Sequence, residues 1–137
     1  MSEVEVNSEE IRPLKTEEDL ITVRTVSKRV VSLLNLSLTN QTKIVTAASE
    51  LARNVIEHGG GGEVHIQLVS NGMRSGIRLV FADQGPGIPS IDEAMRDGFS
   101  SKKGMGLGLG GSKRLSDEFS IESDSSGTTV SITKWAE

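Results

Sequence analysis

The chain has 137 residues, of which 25% are charged, and its formal net charge is −4 at pH 7. This length suits a single domain over residues 1–137 with a core of its own, and the negative charge argues against nucleic acid as the main partner, because phosphate binding needs a basic surface. There is no cysteine, which excludes disulfides and thiolate metal sites and fits a cytoplasmic protein, and no apolar run or signal peptide points to a membrane.

Capping residues and apolar spacing predict a strand and two helices in the first half of the chain. An opening strand is expected over residues 3–12, where valine and isoleucine recur. Thr16 precedes three acidic residues and has the hydroxyl that favours a helix start, and apolar residues at helical spacing continue to about Asn35. A second helix starts at Thr39, carries one strongly apolar face and ends at the glycine run 59–62.

The second half of the chain alternates strands with short helical segments. We expect strands over 64–70, 77–82, 119–123 and 128–134, and helices over 90–97 and 109–115. Asn-Gly and Ser-Gly pairs between the first two strands indicate a hairpin, and a Ser-Ser-Gly turn joins the last two. This order predicts an α/β (α+β) fold, a two-layer sandwich with a mixed, largely antiparallel sheet and helices on one face.

Glu50 and Asn54 form the first motif with chemical potential. They lie four residues apart on the second predicted helix, so both side chains leave one face, on the polar flank of the apolar stripe. The amide oxygen of Asn54 is a suitable Mg²⁺ ligand, and Glu50 could accept a proton from an attacking hydroxyl or from water. Taken alone, the pair is more typical of a solvated helix face.

The second motif, Asp-Gln-Gly-Pro-Gly-Ile-Pro, begins at Asp83, where the second strand of the hairpin ends. A carboxylate at a strand end can accept a hydrogen bond from an exocyclic amine, such as the 6-amino group of adenine. Gly85 and Gly87 would let a flat base approach the backbone closely. An ordinary Asp/Gly/Pro turn explains this segment equally well when it is taken alone.

The third motif is the segment 104–110, in which four glycines alternate with apolar residues. Backbone N–H groups freed by glycine can form an anion-binding concavity, although the spacing matches neither a P-loop nor a dinucleotide fingerprint. A solvated loop has no use for the apolar residues, so the pattern favours a lid that packs down on a ligand. Basic side chains that could pair with phosphates flank it. These are Lys102, Lys103, Lys113 and Arg114.

Together with Gly127-Thr128, these motifs resemble the N, G1, G2 and G3 boxes of the Bergerat-fold (GHKL) ATPases and kinases. The boxes stand in the correct order over residues 50–128. Within that superfamily the chain is most similar to the anti-sigma-factor kinases and the stressosome switch serine/threonine kinases. Segments 97–100 and 113–119 extend the likeness, which covers nearly the whole chain.

The resemblance implies a protein serine/threonine kinase that uses ATP and Mg²⁺, with Glu50 as catalytic base and Asn54 as the magnesium ligand. Asp83 would bind the adenine amine, and Thr128 or the adjacent Thr129 would support adenine recognition. The implied nucleotide-binding residues are Asn54, Asp83, Gly85, Gly87, Ile88, Lys102, Lys103, Gly104, Met105, Gly106, Leu107, Gly108, Leu109, Gly110, Arg114, Thr128 and Thr129.

The resemblance also implies partners. The family phosphorylates a serine or threonine of a small STAS-domain protein, and the stressosome switch kinases then activate a PP2C-type phosphatase. A sigma factor is a further candidate partner, and a homodimer is a candidate assembly because relatives that act as anti-sigma factors dimerise. One departure stands out: the lid ends in Gly110-Gly111-Ser112, where many relatives have a proline, and the added flexibility would weaken closure over the phosphates.

Other interpretations stay open from the sequence. The chain could act chiefly as a binding module, either an anti-sigma factor or a phosphatase activator, with ATP as a conformational ligand. It could also be the catalytic half of a histidine kinase acting in trans, because no dimerisation helices or phosphoacceptor histidine precede it. A gyrase-type ATPase is the weakest alternative, because no transducer domain follows.

Overall fold

The computed structural model describes residues 4–85, 95 and 109–137. The described residues form five strands and three helices. In chain order these are β1 (Glu5–Leu14), α1 (Glu17–Val31), α2 (Leu38–His58), β2 (Gly62–Ser70), β3 (Ser75–Asp83), α3 (Leu109–Leu115), β4 (Glu118–Asp124) and β5 (Gly127–Trp135). The helix predicted over 90–97 lies outside the described residues.

The five strands form one sheet in the order β1-β2-β3-β5-β4. All four described pairings are antiparallel, so the predicted fold class is confirmed and the described sheet contains no parallel pair. Because β5 lies between β3 and β4, the end of β3 meets the start of β5: Asp83 is paired with Thr128. Sheet order therefore brings together two motifs that are distant in sequence.

The core lies between the sheet and the helices. Alternate residues of β2 and β3, among them Val64 and Phe81, face one side of the sheet. The apolar stripe predicted on α2 is confirmed, because Leu51 and Val55 are buried with them in one cluster. None of the helices that the structure describes is long and apolar enough to cross a membrane.

The helix ends test the predictions made from local sequence signals. Thr16 caps α1 as predicted: its hydroxyl accepts from the backbone N–H of Asp19 at 3.2 Å. The predicted extension of α1 to Asn35 is wrong, because after Val31 the backbone tightens into three-residue turns. The predicted start of α2 at Thr39 is late, because the capping hydroxyl belongs to Ser37 and accepts from the N–H of Asn40 at 3.1 Å.

A polar network lies on the sheet face opposite the core, and it joins three strands. His65 Nδ1 lies 3.1 Å from Glu9 Oε2, and His65 Nε2 lies 2.5 Å from Glu63 Oε2. Gln67 donates to the same Glu9 oxygen at 2.7 Å and accepts from Arg78 Nε at 2.7 Å. Burial lowers the pKa of His65, but the hydrogen bonds and negative charges of its two carboxylate neighbours together outweigh burial and raise the pKa.

Candidate active site

Helix α2 carries Glu50 and Asn54 as the sequence predicts. The two residues lie on one face beside the buried stripe, with Glu50 exposed and Asn54 half-buried. A rise of about 1.5 Å per residue separates them by roughly 6 Å along the helix axis. This flank of α2 therefore carries a carboxylate and an amide side chain about one helical turn apart.

Asp83 ends β3, and the described residues that bond to its carboxylate do so through one oxygen. Asp83 Oδ1 accepts hydrogen bonds from the N–H of Gly85 at 2.9 Å and from the N–H of Thr128 at 3.2 Å. Within the described part of the chain, no donor bonds to Oδ2. Among the described residues, the two hydrogen bonds to this carboxylate therefore both go to Oδ1.

The last turn of α2 links these two motifs. Gly59 caps the helix and donates its N–H to the carbonyl oxygen of Asn54 at 3.1 Å. Gly59 also lies against Asp83, because a Cβ added to this glycine would be 2.5 Å from Asp83 Oδ2. The helix that bears Glu50 and Asn54 thus ends beside Asp83 Oδ2.

A cavity of about 870 Å³ opens where α2 and β3 end. This volume lies within the range of roughly 300–1,000 Å³ that is common for small-molecule sites. Of the predicted site residues, Asp83 and Gly85 line it, and among the described ones Glu50 and Asn54 do not. Its lining residues are Lys15, Glu57, His58, Gly59, Gly60, Gly61, Gly62, Glu63, Ala82, Asp83, Gln84 and Gly85.

Two parts of the cavity lining were not predicted from the sequence. The glycine run 59–62 is predicted as the end of a helix, and the structure also places it in the lining of the cavity. Four consecutive glycines were the signal that backbone approaches closely there. Lys15 also lines the cavity, and no pattern around it in the sequence indicated a site.

The other predicted site residues that the structure describes do not line this cavity. Thr128 is buried, with Oγ1 2.7 Å from Ser123 Oγ, whereas Thr129 is exposed because successive strand residues face opposite sides. Leu109 and Gly110 are buried in the first turn of α3, with Leu109 in the core. The helix predicted over 109–115 is therefore confirmed, and the lid end from Gly110 to Ser112, for which the resemblance implied added flexibility, lies within it.

Arg114 lies in the last turn of α3. Nine further predicted site residues lie outside the described residues. They are Gly87, Ile88, Lys102, Lys103, Gly104, Met105, Gly106, Leu107 and Gly108.

The chain matches a known protein family over the part that contains the α/β sandwich, the Glu/Asn pair of α2 and the carboxylate at the end of β3. Residues 14–134 match the histidine kinase-like ATPase domain, and the chain belongs to that family. The matched range runs from the end of β1 to near the end of β5 and includes every described site residue. Membership implies that the chain uses ATP.

Individual relatives narrow the assignment. The chain is 40% identical to the serine/threonine-protein kinase RsbT of Bacillus subtilis (strain 168) over 131 residues, which are 95% of this chain and 98% of RsbT. It is 31% identical to an anti-sigma F factor of Bacillus licheniformis over 112 residues, 76% of this chain and 75% of that protein. The first match confirms the resemblance noted in the sequence and places the chain among the RsbT-like serine/threonine kinases.

A solved structure shares the fold. The crystal structure of the RsbU and RsbW domains of a Mycobacterium tuberculosis protein matches with a TM-score of 0.64 and 21% identity. The match covers 96% of this chain and 33% of that longer chain. The whole described sandwich therefore corresponds to one part of that protein.

Proposed function

We propose that this chain transfers the γ-phosphoryl group of Mg²⁺-ATP to a serine or threonine of a STAS-domain protein. By this reaction it regulates a stress-response or sigma-factor pathway through partner switching. The observation that carries the proposal is the Asp83 carboxylate, anchored through Oδ1 beside the helix that bears Glu50 and Asn54. The similarity to RsbT supports the kinase activity.

Asp83 recognises the base in this proposal. Its anchored Oδ1 orients Oδ2, which accepts a hydrogen bond from the exocyclic amine of adenine. A site built around such a bond rejects an analogue that lacks the donor, because a charged acceptor is then left unpaired. The backbone N–H groups of Gly85 and Thr128 fix the carboxylate before the nucleotide arrives.

Asn54 is the proposed ligand for Mg²⁺. Among the described residues, no three His, Cys, Asp or Glu side chains gather to hold a metal ion. A single amide oxygen nevertheless fits Mg²⁺, which is commonly bound by one or two protein oxygens together with substrate phosphates and waters. When bound, the ion neutralises charge that develops on the transferred phosphoryl group.

Glu50 is the proposed catalytic base. The substrate hydroxyl oxygen forms a bond to the γ-phosphorus, the bond to the ADP oxygen breaks, and Glu50 takes the hydroxyl proton. Its exposure on α2 lets a hydroxyl on another protein reach it. Its place one turn before Asn54 puts the base beside the residue that would hold the metal.

A second candidate function is a binding module, and the 31% identity to an anti-sigma F factor favours it. In this function ATP is a conformational ligand, and the chain acts by holding or releasing a sigma factor or a PP2C-type phosphatase. The cytoplasm is the proposed location for both functions. A homodimer is compatible with either one.

The test uses the purified chain, ATP, Mg²⁺ and a candidate STAS-domain protein. Glu50→Gln should lower phosphoryl transfer by roughly 10²–10⁴-fold while leaving ATP binding and partner capture intact. Glu18→Gln, which changes an exposed glutamate in the first turn of α1, is the matched control and should transfer normally. Unchanged transfer by Glu50→Gln would show that Glu50 is not the base. ATP-dependent capture without any transfer by the unmodified chain would favour the binding module.

A further inference from the structure

Three glycines from different elements surround Asp83. Gly59 ends α2, Gly85 follows β3 and Gly127 begins β5. Gly85 donates its N–H to Oδ1, and Gly127 packs so closely that an added Cβ would lie 2.2 Å from the Asp83 carbonyl oxygen. Of the three, Gly59 is the one whose added Cβ would lie nearest to Asp83 Oδ2.

Gly59 is required for space and not for backbone conformation. Its φ of −93° and ψ of −3° are helical values that any residue adopts. An added Cβ, however, would lie 2.5 Å from Asp83 Oδ2 and 2.6 Å from Asp83 Cγ, closer than real Cβ contacts. A side chain of any size at this position therefore displaces the carboxylate.

The surrounding backbone leaves little room for Gly59 itself to move away. Gly85 packs closely against it, because a Cβ on Gly85 would lie 2.8 Å from the Gly59 carbonyl oxygen. The Gly59 N–H is also bound to the last turn of α2. The added Cβ would also lie 2.8 Å from Asp83 Cβ, which rotation of the side chain does not move. The Asp83 carboxylate therefore rotates and its backbone shifts as well, and both movements disturb the hydrogen bonds at Oδ1 from Gly85 and Thr128.

We infer that Gly59 is a positioning residue that sets nucleotide specificity. The missing side chain at the end of α2 keeps Asp83 Oδ2 where it accepts the exocyclic amine of adenine. In this way it favours adenine over a purine with a carbonyl group at that position. The inference rests on the proposed recognition of adenine by Asp83.

The experiment compares the binding of ATP and of inosine triphosphate, whose base has a carbonyl group in place of the amine. A hydrogen bond to a charged acceptor corresponds to roughly ten- to hundred-fold discrimination. We expect the original chain to prefer ATP by that factor and Gly59→Ala to lose most of the preference. Gly72→Ala should keep it, because Gly72 has a positive φ of 91° but nothing within 4 Å of an added Cβ. This control adds the same methyl group, together with backbone strain that Gly59→Ala lacks, and makes no contact with Asp83.

Comparison with Asp83→Asn separates failure of the inference from failure of the proposed function. If the original chain and Asp83→Asn show the same ATP preference, Asp83 does not recognise adenine and the proposed function fails at that point. If Asp83→Asn loses the preference while Gly59→Ala keeps it, the inference about Gly59 is overturned. Adding Gly59→Ala to Asp83→Asn should change the preference no further.

A second measurement does not depend on nucleotide binding. The amide resonances of Gly85 and Thr128 report the hydrogen bonds to Asp83 Oδ1 in a nitrogen–proton correlation spectrum. Gly59→Ala should shift both resonances toward their positions in Asp83→Ala, whereas Gly72→Ala should leave them in place. Unshifted resonances in a folded Gly59→Ala variant would contradict the inference.

Discussion

Replacement of Asp83 should separate the structural role of one carboxylate oxygen from the binding role of the other. Asp83→Ala removes the acceptor of two backbone hydrogen bonds, from Gly85 at 2.9 Å and from Thr128 at 3.2 Å. Asp83 is half-buried, so water can partly replace the lost acceptor. A typical net contribution of about 1 kcal/mol per bond then gives a loss of roughly 2 kcal/mol in the free energy of unfolding.

Asp83→Asn keeps an acceptor at the Oδ1 position but replaces Oδ2 with an amide donor and removes the charge. We expect it to lose less than about 1 kcal/mol of stability, because neutral hydrogen bonds are weaker than charge-assisted ones. Both variants should nevertheless lose the preference for ATP, because neither presents an acceptor toward the exocyclic amine. Asparagine would thus preserve the structural role and abolish the binding role.

The assay is urea unfolding without nucleotide, followed by titration of each variant with ATP and inosine triphosphate. The informative quantity is the stability difference between the alanine and asparagine variants, because both lack the negative charge. Equal stabilities would refute the structural role assigned to Oδ1. Tight and selective ATP binding by Asp83→Asn would refute the binding role assigned to Oδ2.

Two further predictions concern a helix start and the outer face of the sheet. Ser37→Ala should cost about 1 kcal/mol in the free energy of unfolding, because Ser37 caps α2; Thr39→Ala should change it by less than about 0.5 kcal/mol. The folded chain raises the pKa of His65 above 6.5, so protonated His65 stabilises the fold at low pH, and this stabilisation disappears as the pH rises through the folded-state pKa. In urea unfolding at about pH 6 and about pH 8.5, the free energy of unfolding of the original chain should exceed that of His65→Gln by less at the higher pH.

Each of these predictions has a clear contrary result. A larger loss from Thr39→Ala than from Ser37→Ala would place the start of α2 at Thr39, where the sequence alone predicted it. A stability gap between the original chain and His65→Gln that stays constant with pH would mean that Glu9 and Glu63 do not hold the histidine in its charged form. A gap that widens as the pH rises would reverse the assigned direction of the pKa shift.

Local features of the fold were readable from the sequence because their physical causes are local. The cap at Thr16 depends on a hydroxyl three residues from its donor, and the buried stripe of α2 depends on helical periodicity. The start of α2 was missed by a short distance because Ser37 and Thr39 both carry hydroxyls suited to capping. The backbone distinguishes them, because Ser37 is extended and precedes the helix whereas Thr39 is already inside it.

Long-range contacts were not readable in the same way. The hydrogen bond from Thr128 to Asp83 spans 45 residues, and the contact between His65 and Glu9 spans 56. Neither contact follows from spacing along the chain, because each depends on which strands are neighbours and in what register. The role of Gly59 was hidden for the same reason: in sequence it only ends a helix, and in space it touches a carboxylate.

The sequence by itself determined the elements, the order of the nucleotide-binding motifs and the family they indicate, because periodicity, capping and motif order are properties of neighbouring residues. The tertiary structure decided how Asp83 is used. Insertion of β5 between β3 and β4 supplies a second donor to Oδ1, and close packing of α2 on β3 makes a glycine necessary beside Oδ2. Both features depend on how whole strands and helices pack, and this packing is determined by residues that are distant in sequence.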